Sequence, residues 1–186
     1  GPLTLKFYAP LDPGGTNVKT AKTCSAQSHG RYNIEFVPLA NSADASRELL
    51  VRRLAAKDAE ISLINMDTIW TPEFAAAGWL RKLSGAEKQQ ATAGQLPGAL
   101  QSVERKGSVY AIPLNTNAQL LWYRKDLVPT PPKTWAEMIA MAQKLPAGVG
   151  LIQEQAAKYE GYVVWFNSLV NSAGGQIVDS NGKASL

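Results

Sequence analysis

The chain has 186 residues, of which 45% are hydrophobic and 18% are charged, and its net charge is +4. This composition is typical of a globular protein with a hydrophobic core and excludes an intrinsically disordered chain. The longest apolar stretch, Tyr162 to Phe166, is much shorter than the about 20 residues that a membrane-spanning helix needs. The basic residues are scattered in pairs such as Arg52-Arg53 and form no patch, so we expect no nucleic-acid binding.

Signals for metal, cofactor or covalent chemistry are weak. Cys24 is the only cysteine and His29 the only histidine, which makes a disulfide framework, a zinc cluster or a histidine-based relay improbable. The chain also lacks a GxxxxGK[ST] phosphate loop, a GxSxG elbow and an HExxH motif. We therefore expect no cofactor and no enzymatic activity. A glycosidase that uses Asp67 and Glu160 as its pair of carboxylates is kept as the alternative.

Strand and helix patterns alternate along the first 80 residues. In chain order they are a strand from Leu3 that ends at Pro10, a helix that Thr16 or Asn17 caps and that runs to about Ser28, a strand around Ile34 and Phe36, a helix from Asp44 with an apolar stripe of Leu49, Leu50 and Leu54, a buried strand from Ile61 to Met66, and a helix from Thr71-Pro72 to Gly78. This order predicts an α/β fold with a mainly parallel sheet.

An unusual polar interruption follows between residues 110 and 127. The apolar runs 110–114 and 120–123 have the composition of buried strands, and Asn115-Thr116-Asn117 separates them. Amides carry both donors and acceptors, as sugar hydroxyls do, so this segment is a candidate for sugar binding. A polar turn between two strands is the other interpretation.

The remaining patterns indicate the beginning of a second unit. They are a helix-loop region at 84–101, a proline-rich linker at 129–132, a helix with a Thr134 and Glu137 capping box, a longer helix that has Tyr159, Val163, Phe166 and Val170 on one face and is closed by Gly174-Gly175, and a hairpin whose returning strand is 183–186. One complete α/β layer followed by part of another predicts that the chain is a portion of a longer protein.

Polar side chains follow each of the three predicted strands. Asp12 follows the first strand, Asn41 the second and Asp67 the third. In open α/β sheets, ligands bind at the carboxyl ends of the strands, so these residues are candidate ligand contacts. Asp67 is the strongest candidate, because a carboxylate can accept two hydroxyl hydrogens in charge-assisted bonds. Its alternative role is to cap the helix that follows.

Two further charged residues and three aromatic residues are candidates with a structural alternative. Arg47 could fork onto hydroxyl groups or orient the Asp67 carboxylate, or it could simply lie at the surface. Glu160 begins the long helix, where a carboxylate also complements the helix dipole. The aromatic residues that could stack on a sugar ring, or pack in a core instead, are Trp70, Trp135 and Tyr159.

Five segments together resemble the sugar-binding subunits of bacterial ABC importers, the extracellular solute-binding proteins related to maltose-binding protein. These segments are LTLKFYAP, ISLINMDTIWTPEFAAAGWLRKL, YAIPLNTNAQLLWYRKDL, TWAEMIAMAQKL and YEGYVVWFNSLVNSAGGQIVDSNGK. They occur in the family's order and span nearly the whole chain. Within the family, INMDTIWTPEFAAAGW and TNAQLLWYRKDLV are most similar to the trehalose-binding lipoproteins of actinobacteria.

The resemblance implies a type II periplasmic-binding-protein fold with two α/β lobes and the ligand between them. Lobe one would comprise residues 1–112, a hinge crossing residues 113–127, and the start of lobe two residues 128–186. The family's ligand carboxylate falls on Asp67, and its polar hinge residue falls on Asn117, an amide where an aspartate is frequent. The polar position after the first strand falls on Asp12, and the helix arginine falls on Arg47.

The resemblance also implies a function for the whole protein. It would be a monomeric receptor that binds a disaccharide, with trehalose expected, and delivers it to membrane permease subunits. It would be held on the outer face of the cell membrane by a lipid anchor. A receptor for another sugar or for a glycerophosphodiester is the closest alternative.

Overall fold

The computed structural model describes residues 1–185. Leu186, the last residue of the predicted second lobe and of the predicted returning strand, lies outside the described residues. The chain divides into two compact units, Gly1–Thr116 and Asn117–Leu186. The boundary between them falls within 113–127, the segment predicted as the hinge crossing. The hinge itself stays a prediction.

The first unit is an α/β layer followed by a small helical and hairpin region. Its elements are β1 (Leu3–Pro10), α1 (Thr16–Gln27), β2 (Tyr32–Leu39), α2 (Ala43–Ala55), β3 (Leu63–Ile64), a 3-10 helix (Thr68–Trp70), α3 (Thr71–Ala76), α4 (Gly85–Thr92), α5 (Pro97–Ser102), β4 (Glu104–Arg105) and β5 (Ser108–Val109). The predicted alternation of strands and helices is confirmed through α3. The region 84–101, predicted as helix and loop, contains α4 and α5.

A parallel sheet of order β2-β1-β3 forms the centre of the first unit. The β1 and β2 strands pair over their full lengths, from Leu3 with Tyr32 to Pro10 with Leu39. The β3 strand is shorter than the predicted strand at 61–66, since only Leu63–Ile64 pair with β1. A separate antiparallel pair joins β4 to β5.

The core of the first unit lies between the sheet and its helices. Its buried members are Tyr8, Leu39, Leu50, Trp70 and Phe74. The predicted apolar stripe of α2 is right for Leu50 and Leu54, which both pack into this core, and wrong for Leu49, which is 43% exposed. Leu49 and Leu50 point about 100° apart around the helix axis, and of these two only Leu50 is buried. A second cluster comprises Leu83, Ala91, Val103 and Val109.

The second unit contains two helices, α6 (Trp135–Lys144) and α7 (Glu160–Ser172). The Thr134 cap of α6 is confirmed, because its Oγ1 accepts from the Glu137 N–H at 3.1 Å. The predicted hairpin is reduced to one antiparallel bridge between Val178 and Ala184. Among residues 1–185, no helix combines the length and hydrophobicity that crossing a bilayer requires.

The apolar runs at 110–114 and 120–123 do not form strands. This prediction was wrong, as was the expectation that these side chains are buried: Leu114 is 70% exposed and Trp122 is 89% exposed. A strand needs a neighbouring strand to accept its backbone hydrogen bonds. No strand within residues 1–185 pairs with either run, so they remain irregular despite their composition.

Candidate functional site

The carboxyl edge of the parallel sheet carries three of the predicted ligand residues. Because β1, β2 and β3 are parallel, their carboxyl ends lie at the same edge of the sheet. Asp12, Asn41 and Asp67 follow the last residues of β1, β2 and β3 within a few positions. The central strand is β1, so Asp12 follows the strand between the other two. The sheet topology therefore places all three residues in the loops of one edge.

An open concavity of about 550 Å³ lies at this edge. The residues that line it are Pro10, Leu11, Asp12, Pro13 and Asn41. Asn41 is exposed, and its side chain carries both donors and an acceptor for a ligand. The rings of the two prolines add apolar surface beside these polar groups. A mixture of this kind suits the face and the hydroxyl groups of a small polar molecule.

The Asp12 carboxylate bonds to the first turn of α1. Its Oδ2 accepts from the Thr16 N–H at 2.7 Å, and its Oδ1 accepts from the Asn17 N–H at 3.1 Å. These backbone hydrogen bonds hold the pKa of Asp12 below its ordinary value. The expectation that Thr16 or Asn17 caps α1 was wrong: Gly15 stands at the N-cap without a side-chain bond. Asp12 supplies the acceptors instead.

The Asp67 carboxylate caps the helix that follows it, which was the alternative to its predicted role in ligand binding. It precedes the 3-10 helix, and its Oδ1 accepts from the Ile69 N–H at 3.3 Å. This distance is longer than the usual 2.9–3.0 Å. A carboxylate has about four acceptor positions, so one long bond leaves capacity for ligand hydroxyl groups. Asp67 is half-buried at the sheet edge and can both cap and bind.

Arg47 pairs with a carboxylate other than the predicted one. Its Nε donates to Glu73 Oε2 at 2.8 Å, and a second guanidinium nitrogen bonds Glu73 Oε1. This forked contact joins α2 to α3 and holds the pKa of Arg47 above its ordinary value. Asp67 is not its partner, so the proposed orienting role was wrong. Direct binding of a ligand by Arg47 stays a prediction.

Trp70 belongs to the core and not to a sugar-stacking surface. It is 4% exposed and stacks on Phe74, with ring centroids 5.9 Å apart and planes inclined by 24°. A ring covered in this way has no free face for a sugar. Trp135 and Tyr159, in contrast, are 50% and 45% exposed.

Two predicted ligand residues belong to the second unit. Asn117 is its first residue and is exposed. Glu160 is the first residue of α7 and is half-buried, which agrees with its expected position at a helix N-terminus. Neither residue is free of contacts within the chain. Their role in ligand binding stays a prediction.

The second unit also has an apolar groove, with a volume of about 640 Å³. Its walls are residues 120–124, the α6 face with Met138 and Met141, and residues 148–153. Leucine, methionine and valine side chains dominate this lining. The lining also includes Trp122, Tyr123, Arg124 and Gln153, which add aromatic and polar groups to the groove.

Sequence reasoning missed two residues that shape the sheet edge. Asn17 donates from its side-chain amide to the Pro10 carbonyl at 3.0 Å, which closes the loop between β1 and α1. Glu73 binds Arg47 from 26 positions further along the chain. The first contact had a local signal, a polar residue in the first turn of a helix. The second had none, because the two residues are distant in sequence and only the tertiary structure brings the pair together.

The polar side chains at this edge are carboxylates and an amide, whose oxygens can accept hydroxyl hydrogens. Within residues 1–185, no group of three or more histidine, cysteine or acidic side chains is arranged to hold a metal.

Comparison with known proteins agrees with this architecture. Residues 27–185 match the family described as bacterial extracellular solute-binding protein. A probable ABC transporter-binding protein of Deinococcus radiodurans is 30% identical over 170 residues, which cover 82% of this chain and 39% of the relative. A mannitol-binding protein of Pseudomonas aeruginosa is 27% identical over 126 residues, which cover 64% of this chain and 28% of the relative.

Solved structures show the same fold. T. maritima MalE3 with maltose bound is similar with a TM-score of 0.78 and 27% identity, over 98% of this chain and 48% of that protein. A solute-binding protein of Agrobacterium radiobacter in complex with ribitol has a TM-score of 0.74 and 24% identity, over 100% of this chain and 49% of that protein. The chain thus spans less than half the length of each of these relatives. It belongs to the bacterial extracellular solute-binding protein family and has the α/β fold of the type II periplasmic binding proteins.

Proposed function

We propose that the protein is the substrate-binding subunit of an ABC importer and binds a neutral disaccharide, trehalose, at the carboxyl edge of its parallel sheet. The observation that carries this proposal is the common position of Asp12, Asn41 and Asp67 in the loops of that edge. Asp12, Asn41 and Asp67 are the proposed ligand contacts in lobe one. The family supplies receptors and not enzymes, which supports binding without chemical conversion.

Carboxylate and amide groups give this edge the hydrogen-bonding character that a polyol requires. Asp67 would accept hydroxyl hydrogens, each charge-assisted bond contributing about 1.5–3 kcal/mol. Asn41 would both donate and accept. Micromolar affinity corresponds to about −8 kcal/mol, which a few such bonds and one stacked ring can supply after ordering costs.

The second lobe would complete the site through Asn117, Glu160 and an exposed aromatic ring. Binding would then shift an equilibrium between open and closed forms, because the ligand contacts both lobes only in the closed form. The hinge crossing at 113–127 is the segment in which we expect the backbone to change. Arg47 would contribute by fixing α2 against α3 near the edge.

The choice of trehalose rests on two segments, residues 64–79 and 116–128, whose sequences are most similar to those of the trehalose-binding lipoproteins. The relatives support the broader class of ligand. One is a mannitol-binding protein, and MalE3 has maltose bound. All three molecules are neutral and rich in hydroxyl groups.

The proposed role in the cell follows from the family. The loaded receptor would act as a monomer and deliver the sugar to permease subunits in the membrane. A lipid anchor would hold it at the outer face of the cell membrane. Labelling of the whole protein with a fatty-acid analogue in cells tests the anchor.

A thermal-melting screen of the whole protein tests the substrate. At 100 times its Kd, a ligand adds about 2.7 kcal/mol to the stability of the folded state. We expect trehalose to raise the melting temperature more than maltose or mannitol does. A flat response to disaccharides together with a shift for a glycerophosphodiester would keep the fold and overturn the substrate. Release of glucose from trehalose by the protein would favour the glycosidase alternative.

A further inference from the structure

The turn Asp179-Ser180-Asn181-Gly182 contains a reactive pair of residues that the proposed function does not use. Asn181 is the only asparagine of the chain that a glycine follows. Asparagine is a thermolabile residue, because the backbone nitrogen of the next residue can attack its side-chain carbonyl carbon. Glycine has no side chain to block this approach. Asn181 and Gly182 are both exposed, so water reaches the pair.

We propose that Asn181 is a site of spontaneous deamidation, and that the contacts of Asp179 in this turn set its rate. In the reaction, the Gly182 nitrogen loses its proton and bonds to the Cγ atom of Asn181, while the side-chain nitrogen leaves as ammonia. The product is a cyclic succinimide. Water then opens the ring at either carbonyl carbon, which gives isoaspartate or aspartate. Every atom comes from the chain or from water.

The closed turn restrains the nitrogen that attacks. The Gly182 N–H donates to the Asp179 carbonyl at 3.0 Å. Oδ1 of Asp179 accepts from the Asn181 N–H and from the Lys183 N–H, both at 2.8 Å. These bonds fix the backbone on both sides of Gly182, whereas the attack requires its nitrogen to reach Cγ of Asn181. We therefore expect the reaction to proceed from the opened turn.

The hairpin around the turn is too short to keep it closed at all times. Its strands are reduced to one antiparallel bridge, between Val178 and Ala184. The Asp179 N–H adds one bond to the Lys183 carbonyl at 2.8 Å. Residues 180–185 are all exposed, so no burial holds them in place. A two-stranded hairpin of this kind is marginally stable in water, and its opening allows the reaction.

The modification would weaken the turn that contains it. Isoaspartate continues the chain through its former side chain, so the backbone gains one carbon atom at residue 181. It also gains a carboxylate beside that of Asp179. The added length displaces the two N–H groups that bond to Oδ1 of Asp179, and the added charge repels the same carboxylate. Modified molecules would therefore lose the hairpin.

Peptide mass spectrometry after incubation in neutral heavy-oxygen water tests the site. The internal control is Asn171-Ser172 in α7, where the Asn171 side chain donates to the Asn167 carbonyl at 3.0 Å. We expect Asn181 to react at least about tenfold faster than Asn171, because α7 holds the backbone of the control. The new carboxyl group should carry the label, and Asn181→Gln should not react. No conversion at Asn181, or equal conversion at Asn171, would overturn the proposal.

Variants of Asp179 test whether the turn sets the rate. Asp179→Ala removes the acceptor of two hydrogen bonds and is expected to raise the rate about tenfold. Asp179→Asn keeps an acceptor oxygen, so its rate should stay within about twofold of the original. The matched control is Asp126→Ala, which removes an exposed carboxylate paired with Arg124 and should leave the rate unchanged. No acceleration in Asp179→Ala, or an equal one in Asp126→Ala, would overturn the role of the turn.

Unfolding in urea separates the turn from the charge of the neighbouring carboxylate. In concentrated urea, the original protein and Asp179→Ala are expected to deamidate at the same rate, faster than the original protein does in its folded state. A difference that persists in urea would assign the effect to local charge and would overturn the role of the turn. These measurements use no sugar, so their outcome is independent of the proposed substrate.

Discussion

The two units of the chain differ in how their apolar side chains are covered. Every buried hydrophobic residue within residues 1–185 lies between Tyr8 and Val109, in the first unit. In the second unit, Trp122 is 89% exposed and Val163 of α7 is 60% exposed. The helices α6 and α7 of the second unit are more strongly amphipathic than α1 and α2 of the first, so pattern alone does not determine burial. Burial requires a second element on which the apolar face can pack.

The difference also separates what local sequence can specify from what it cannot. In the first unit β1 pairs with β2 over eight residues each, so each strand has a partner for its backbone hydrogen bonds. In the second unit the strand-like run 120–123 has no partner strand within the described residues, so it is irregular. Helices depend less on such partners. The α6 helix begins at its predicted cap.

The largest expected effect is on the stability of the two units. Phe74 is fully buried in the core of the first unit, whereas Phe166 of α7 is 39% exposed. Phe74→Ala should lower the free energy of unfolding by about 3–5 kcal/mol, because it removes a packed ring and leaves a cavity. Phe166→Ala should change it by less than about 1 kcal/mol. Amide exchange at Asn65, whose N–H donates to the Tyr8 carbonyl in the sheet, measures the first change, and exchange at Ala173, whose N–H donates to the Leu169 carbonyl at the end of α7, measures the second. Equal losses would contradict the contrast between the units.

Limited proteolysis should show the same contrast with a smaller effect. Chymotrypsin cleaves after aromatic residues that local opening exposes. We expect cleavage after Trp122 or Tyr123, which are exposed and lie outside helices and strands, before cleavage after Tyr8 or Phe74. Mass spectrometry of early fragments identifies the sites. First cuts within the sheet of the first unit would be the opposite result.

Acid sensitivity should be smaller still and should depend on exposure. The pKa of Asp58 is lowered by the Glu60 N–H and by Arg53, and that of Asp126 is lowered by Arg124. A lowered pKa stabilises the fold above the ordinary value of about 3.9, and this stabilisation is lost as pH falls through the folded-state pKa.

Asp58→Asn should therefore flatten the fall in stability below about pH 5 more than Asp126→Asn does. The Asp58 side chain is 25% exposed and that of Asp126 is 59% exposed, so solvent and salt screen the second pair more strongly. Urea unfolding at pH 3 to 7 measures both variants. A larger effect from Asp126→Asn would refute the role of exposure.

Part of the carboxyl edge of the sheet could be predicted from the sequence, because local sequence signals mark the strands that precede it. Pro10 was predicted as the end of β1, and a strand around Ile34 and Phe36 was predicted before Asn41, so Asp12 and Asn41 were correctly placed after β1 and β2. The length of β3 was not, because only two of its residues pair with β1.

Contacts between elements that are distant along the chain could not be predicted from the sequence. The Arg47 and Glu73 pair joins residues that only helix packing brings together. Trp70 is of a residue type that commonly stacks on sugar rings, yet its own ring is covered by Phe74. The distinction between a core ring and a binding ring lies in tertiary burial, which no local pattern records.

The central claim is that the carboxyl edge of the parallel sheet binds a neutral sugar. Binding calorimetry of Asp67→Ala in the whole protein tests this claim most directly. The matched control is Glu35→Ala in the middle of β2. We expect trehalose binding to weaken by about 1–3 kcal/mol per lost hydrogen bond in Asp67→Ala and to stay unchanged in the control. An unchanged affinity in a folded Asp67→Ala protein would contradict the claim and leave Asp67 with only its capping contact to Ile69.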